Sequence, residues 1–307
     1  MKLRVGTRRS PLALAQTRQA MEILRAHTGV EYELVELVTS GDRIQDRPLR
    51  DAGGKGLFVK ELDEALLEGR IDCAVHSLKD VPSELAGGIA IGAVLERADA
   101  RDMLVTTDGR TLDELPADVI VGTTSLRRSS QLLARRPRAR VQMLRGNVET
   151  RVRKLLAGEC AATFLAVAGV ARLGLSLSPA HGVPLDPSVF VPAAGQGALA
   201  ITVRDADAAC AGAVAALDDV TSHRAVDAER GFARVFGGGC HLPLAAHAEI
   251  NGDALTLTAL LASPDGSRVL RERTTGAAAD AAAVGEALGR RFFDQGAAEI
   301  IAAAERS

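Results

Sequence analysis

Lys79 and Asp80 stand side by side near the end of residues 71–82, IDCAVHSLKDVP. An ammonium beside a carboxylate offers a cation for an anionic substrate and a group that can hold or move a proton. The stretch begins apolar, over 71–75, and turns polar at His76, Ser77, Lys79 and Asp80 before Pro82 stops it. In α/β folds ligands bind outside the carboxyl ends of strands, which is where such a pair would sit. Alone, the same residues also read as an ordinary solvated turn. Cations recur at comparable places. Arg8 and Arg9 precede Ser10; Arg127 and Arg128 follow Thr123, Thr124 and Ser125; Arg145 precedes Gly146, with Arg151 soon after. A guanidinium bonds two oxygens at once and so favours carboxylate or phosphate. Each arginine pair is readable as a solvated face, but arginines past successive strand ends point to a cleft for a polyanion between two α/β units.

The four cysteines differ in setting. Cys73 and Cys210 fall inside predicted elements and Cys160 at a strand edge, where a cysteine usually serves as a small core residue. Cys240 follows three glycines in a loop. A thiolate there is a candidate nucleophile, redox sensor or attachment point, although a lone loop cysteine is also often structural. There is no CxxC pair, so neither a zinc site nor a disulfide framework is expected.

The elements that must position these residues follow in order. The pattern predicts a strand over 3–7 and a helix over 12–26, with Ser10 as N-cap and Pro11 at the first helical position. The helix start beside Arg8 and Arg9 is a ready anion site, or simply a capped helix. A second strand over 33–39 leads through Ser40-Gly41-Asp42 into a long polar loop ending in Gly53-Gly54-Lys55-Gly56. That loop resembles a phosphate loop only loosely, since the Walker pattern is absent. A helix over 58–68 and a strand over 89–95 complete a first, mostly parallel α/β unit. Residues 96–101 cross to a second unit with strands over 103–106, 119–122, 141–144 and 161–167, the last running into Gly169 and a short helix. Residues 191–197, which include Gln196, cross back to a strand over 198–203 and a helix over 207–217. A small α+β unit follows: a helix over 222–236, antiparallel strands over 244–250, 254–262 and 268–275, and a final helix over 279–304. The expected domains are thus 1–96 with 198–217, 101–192, and 221–307. Two crossings make a hinge, and closure on a ligand is the usual consequence.

Composition excludes some classes. In 307 residues the net charge is −2, and aromatics are 3% with no Trp, so nothing suggests nucleic acid. Apolar residues at 47% suffice for packed cores. No apolar run spans a bilayer, and the N-terminus lacks a signal peptide's apolar region. A cytoplasmic monomer without membrane or nucleic-acid partners is expected.

Seven motifs occur in order: RVGTRRSPLALAQT, GGKGLFVKELDEALLEGRIDCAVHSLKDVP, VGTTSLRR, LRGNVETR, AVAGVARLG, VPAAGQGAL and GGGC. Together they resemble the porphobilinogen deaminase (hydroxymethylbilane synthase) family of tetrapyrrole biosynthesis nearly end to end, with only the region after Cys240 matching weakly. The resemblance implies a transferase that joins four porphobilinogen molecules head to tail, with loss of ammonia, on a covalent dipyrromethane primer. Hydrolysis then releases hydroxymethylbilane, and the primer stays. It implies a thioether from the primer to Cys240 and Asp80 as the catalytic carboxylate. It carries cofactor and substrate contacts onto Arg8, Ser10, Lys55, Ser77, Lys79, Thr123, Thr124, Ser125, Arg127, Arg128, Arg145, Gly146, Arg151, Gly169 and Gln196, and it implies no metal. The fold implied is α/β: two periplasmic-binding-protein-like lobes joined by two crossings, plus a C-terminal α+β domain with a three-stranded antiparallel sheet. The chemistry suits the residue types. Each pyrrole brings an acetate and a propionate, so a lengthening chain gathers carboxylates for the arginines. Loss of ammonia leaves a cation that a carboxylate can stabilise. His76 is expected to be structural. The extra glycine before Cys240 and the HLPL after it depart from the family's pattern and affect primer packing. The main rival is a non-catalytic two-lobed protein binding a polycarboxylate; a second is an anion-binding regulatory domain, for which no helix-turn-helix is evident.

Overall fold

A computed structural model describes residues 1–43, 56–237 and 242–306. Lys55 and Cys240 therefore lie outside the described residues. The chain starts with β1 (Lys2–Arg8), whose Leu3 and Val5 are buried, and α1 (Pro11–Thr28). The Ser10 side chain accepts a hydrogen bond from Ala13 N at the start of α1, and buried Ala13, Gln16, Thr17, Ala20, Met21 and Leu24 recur at helical spacing to form the packed face. Then come β2 (Glu31–Leu37), one helical turn α2 (Ser40–Arg43), α3 (Lys60–Leu67), β3 (Cys73–Ser77) and β4 (Ile89–Val94). After the first crossing the chain forms β5 (Asp102–Thr106), β6 (Ile120–Gly122), α4 (Leu126–Arg135), β7 (Arg140–Gln142), α5 (Val148–Leu156), β8 (Ala162–Ala166), α6 (Val167–Leu173) and β9 (His181–Pro184). It returns through β10 (Leu199–Arg204) and α7 (Ala208–Val214).

These strands make two five-stranded sheets of one design. The orders are β2-β1-β3-β10-β4 and β7-β6-β8-β5-β9. In each lobe the second, first and third strands lie parallel, and the fourth position belongs to the strand that has just crossed over. That guest strand, β10 or β5, runs antiparallel to both neighbours. The sequence shows no internal repeat, yet the topology repeats. Each crossing is thus anchored inside the opposite sheet, one strand in from the edge. Gly197 in the second crossing has φ +89°, and a Cβ there would sit 2.4 Å from Ala98 O. Only glycine lets the two crossings touch backbone to backbone.

The C-terminal part packs α8 (Val220–Val235), the antiparallel sheet β11 (Leu244–Asn251), β12 (Ala254–Ala262) and β13 (Val269–Ala277), and helices α9 (Ala281–Asp294) and α10 (Ala297–Glu305). Phe232, Phe236 and Phe292 pack edge-on or tilted against one another in its core with Leu255, Leu257 and Leu261. The single helix expected over 279–304 is two helices. Gly296, at φ +92°, breaks it. The tip of the β12–β13 hairpin reaches the second lobe: a Cβ on Gly266 would lie 2.4 Å from Ala134 N on α4. Two further differences arise in the lobes. The edge strand β9 has no apolar alternation, being mostly exposed His-Gly-Val-Pro, and its proline is tolerated at an edge. Each lobe also carries one antiparallel strand, which linear order cannot reveal.

Candidate active site

The residues expected to do chemistry sit where β3 ends. Ser77 is the last strand residue, and Leu78–Asp80 form one turn of 3-10 helix. Buried Leu78 pins the turn inward, and its N–H donates to Ala198 O at 3.1 Å. Arg230, from α8, clamps the next segment by donating to the carbonyls of Val81, Pro82 and Ser83. Lys79 and Asp80 are thus held from two sides, by the second crossing and by the C-terminal domain.

Asp80 Oδ2 lies 3.4 Å from Arg8 Nη1. Arg8 also grips Asp42 through Nε at 3.2 Å and through Nη2, and its guanidinium rests 4.2 Å from the centre of the Phe58 ring. Arg8, Ser10, Phe58, Ser77 and Asp80 line one recess. Ser77 Oγ donates to Gln16 Oε1 at 3.0 Å. His76 is buried against Thr202 Oγ1, 2.9 Å from its Nε2. Burial first, and the Arg8 charge second, push its pKa down to about 4, so it is a neutral structural imidazole.

Lys79 is half-buried and donates to Gln196 Oε1 at 3.3 Å. Gln196 Nε2 donates to Ala100 O at 2.8 Å and to Asp102 Oδ1 at 3.1 Å. Asp102, fully buried at the start of β5, also accepts from Arg127 at 2.6 and 3.2 Å and from Arg128 at 3.0 and 2.7 Å. One polar chain therefore runs from Lys79 through Gln196 to Asp102 and both arginines, and both crossings take part in it. Burial opposes a charge on Asp102, but the two guanidiniums outweigh it and hold the carboxyl well below the usual range. Lys79 is pushed the other way for an ammonium, down to about 8, chiefly by desolvation and then by Arg128.

In the second lobe, Ser125 caps α4 by accepting from Arg128 N, and Thr123 Oγ1 accepts from Ser125 N at 3.1 Å. Thr124 is exposed beside them. Arg127 and Arg128 are buried and partly committed: Arg127 also donates to Val191 O, and Arg128 to Phe164 O. Arg151 donates to Gly146 O at 2.9 Å. Desolvation, then Arg128 and Arg145, lower its pKa to about 10, so three guanidiniums share one field. Gly169, near the start of α6, faces α1 across the lobes; a Cβ there would lie 3.7 Å from Leu12 Cδ2. Arg172 on α6 donates to Gly197 O at 2.8 Å, its Nε is buried without a partner among the described residues, and burial lowers its pKa to about 10.

Sequence reasoning did not single out Asp42, Phe58, Asp102 or Arg172. Asp42 reads as the start of a polar loop, and Asp102 as the edge of a crossing. For Asp102 the available signal was a carboxylate at the start of an apolar strand, in a chain with arginines past its strand ends.

The model of the family described as porphobilinogen deaminase, dipyrromethane cofactor binding domain, matches residues 3–212, and that of the porphobilinogen deaminase C-terminal domain matches 223–294. The chain belongs to the porphobilinogen deaminase family. It is 44% identical over 303 residues to the porphobilinogen deaminase of Brevibacillus brevis, covering 98% of this chain and 97% of that one. It is 47% identical over 302 residues to that of Bordetella parapertussis, covering 98% and 96%. Among solved structures it is similar to the VFT2 domain of Bordetella pertussis BvgS, at TM-score 0.43 and 14% identity over 70% of this chain and 85% of that one. The family's cofactor is dipyrromethane, and the donor set fits a group rich in carboxylates. Among the described residues, Arg172 Nε is an orphaned buried donor, and the one hydrogen bond that the Arg151 side chain makes goes to a backbone carbonyl.

Proposed function

We propose that this chain is a hydroxymethylbilane synthase whose Asp80 works between cations supplied by both lobes. The observation that carries this is the polar chain from Lys79 through Gln196 and Asp102 to Arg127 and Arg128, with Arg8 against Asp80 on the other side. Four porphobilinogen molecules are joined head to tail, each addition breaking one C–N bond, forming one C–C bond and releasing ammonia. Water then frees hydroxymethylbilane. The dipyrromethane group, bound through a thioether to Cys240, supplies the primer on which the chain grows and is retained.

The residues divide the work by chemistry. Arg8, Ser10, Ser77 and Lys79 bind carboxylates from the first lobe. Thr123, Thr124, Ser125, Arg145, Gly146 and Arg151 do so from the second, with Arg127 and Arg128 adding charge from positions fixed by Asp102. Gln196 orients Lys79, and Gly169 keeps the wall between α1 and α6 close. Lys55 and Cys240 join this set as proposed substrate contact and attachment point. Asp80 lies where positive charge develops as ammonia leaves the aminomethyl carbon, stabilises it, and accepts the proton that the ring sheds. We take 1–96 with 198–217, 101–192 and 221–307 as the working domains of a monomer. The buried thiols of Cys73, Cys160 and Cys210 suit a reducing cytoplasm.

Intact-mass measurement of the purified protein tests this reading. An adduct of two linked pyrrole rings is expected, absent from Cys240→Ser, together with consumption of porphobilinogen. An active protein of bare sequence mass would refute the mechanism, and a bare, inactive protein that binds polycarboxylates would favour a binding role.

A further inference from the structure

Asp42 makes the stronger contact to Arg8. It takes two of the guanidinium's donors, Nε at 3.2 Å and Nη2, whereas Asp80 receives one long bond of 3.4 Å from Nη1. Asp42 is itself fixed, accepting from Thr39 Oγ1 at 2.8 Å, and Phe58 covers Arg8 at 4.2 Å. A bidentate pair sets both the position and the plane of a guanidinium, and a single 3.4 Å bond does neither. Arg8 and Asp42 are both largely shielded, with side-chain exposures of 19% and 22%. Asp80 is the more open, at 29%, and lines the recess with Ser10 and Ser77.

We infer that Asp42 is a positioning residue for the reaction: it anchors Arg8 so that the guanidinium touches Asp80 without capturing it, leaving Asp80 an oxygen for substrate. Without the bidentate anchor, Arg8 has Asp80 as the one carboxylate left in reach among the described residues and closes onto it. Asp80 is then neutralised by a tight pair and turned away from the recess. Asp42 lies behind Arg8 as seen from Asp80, so its effect on the reaction is exerted through Arg8.

This rests on the proposed synthase activity, and the experiment separates the two. Primer-loaded holoenzymes are compared in porphobilinogen turnover: wild type, Asp42→Asn, Asp42→Glu, Arg8→Lys and the double variant Asp42→Asn/Arg8→Lys. Loading is checked by intact mass and folding by thermal melting. If wild type consumes no porphobilinogen, the activity reading fails. If it does, Asp42→Asn should lower kcat about ten- to a hundredfold with KM changed far less, since misplacement near a reacting group acts on the chemical step. Asp42→Glu should recover part of the loss. The double variant should be no slower than Arg8→Lys, because one path is broken twice. Should Asp42→Asn fail to fold or load, Thr39→Val removes only the hydroxyl that steadies Asp42, and a smaller kcat loss, again absent in the Arg8→Lys background, is expected. Wild-type kcat in Asp42→Asn, multiplicative losses in the double variant, or a purely KM effect would overturn the inference.

Discussion

Asp80 is held by a turn that other residues fix, and that separates its function from the fold. Leu78 carries the packing of the turn, and Arg230 bonds the carbonyls after it. Asp80→Asn should therefore leave melting temperature and Cys240 adduct nearly unchanged while cutting turnover by several orders of magnitude, as loss of charge stabilisation and of the proton acceptor requires. Near-normal turnover would remove Asp80 from the mechanism. Lys79 gives a pH signature. Its pKa, lowered to about 8 by desolvation first, means that the free enzyme loses this cation as pH rises past that value. Affinity for a carboxylate falls with it, so kcat/KM should decline above pH 8. Lys79→Arg should keep the charge and abolish that limb, while a limb unchanged in Lys79→Arg belongs to another group. At this scale the sequence was readable for the residues at or shortly after strand ends, Asp80, Lys79, Arg8 and the paired arginines, because polar runs interrupt apolar ones there. It was unreadable for their counter-ions. Asp42 and Asp102 look like loop carboxylates until distant strands bring them against Arg8, Arg127 and Arg128.

At the scale of elements, α4 and β5 are joined through one carboxylate. Asp102 is fully buried, and Arg127 and Arg128 are nearly so. Removing the carboxylate leaves two buried cations uncompensated, so Asp102→Asn should destabilise by about 3–5 kcal/mol in urea unfolding. The pair also sets an acid limit. Burial raises the Asp102 pKa and the guanidiniums lower it further than burial raises it, so the folded value lies below the unfolded one, which is about 4. In that window the unfolded chain binds the extra proton. The contribution is complete above about pH 4 and drains away as pH falls toward the folded value. Unfolding free energy measured from pH 5 downward should therefore fall more steeply in wild type than in Asp102→Asn, and parallel slopes would refute the assignment. Helices and strands with strong periodicity were legible: α1 carries its cap at Ser10, and β12 spans Ala254–Ala262 as its alternation predicts. Short exposed β9 lacked a pattern, and alanine-rich α9 and α10 hid their break because Gly296 is one small residue among many.

The whole molecule is held at Glu229. This buried carboxylate on α8 accepts from Arg97 in the first crossing at 2.6 and 3.1 Å, from Gly195 N in the second at 2.6 Å, and from Ala248 N on β11 at 2.7 Å. Both crossings and the C-terminal domain thus meet on two oxygen atoms. His247 Nδ1 lies 3.7 Å away, buried and without a hydrogen-bond partner among the described residues, and desolvation lowers its pKa despite Glu229, so this imidazole adds no second cation. Glu229→Gln keeps the shape but turns one acceptor into a donor that faces only donors, and leaves Arg97 without a counter-charge. Breaking one side of a buried pair costs about 3–5 kcal/mol, and replacing both sides by apolar groups costs less. Arg97→Met/Glu229→Leu should therefore recover part of the stability lost in Glu229→Gln, but not all, because the N–H groups of Gly195 and Ala248 stay orphaned. Limited proteolysis of Glu229→Gln should cleave within the crossings, 96–101 and 191–197, before the lobes themselves. An urea midpoint equal to wild type, or first cuts inside a lobe, would mean that the packing of Gly266 against α4 and the Arg230 clamp hold the C-terminal domain without Glu229.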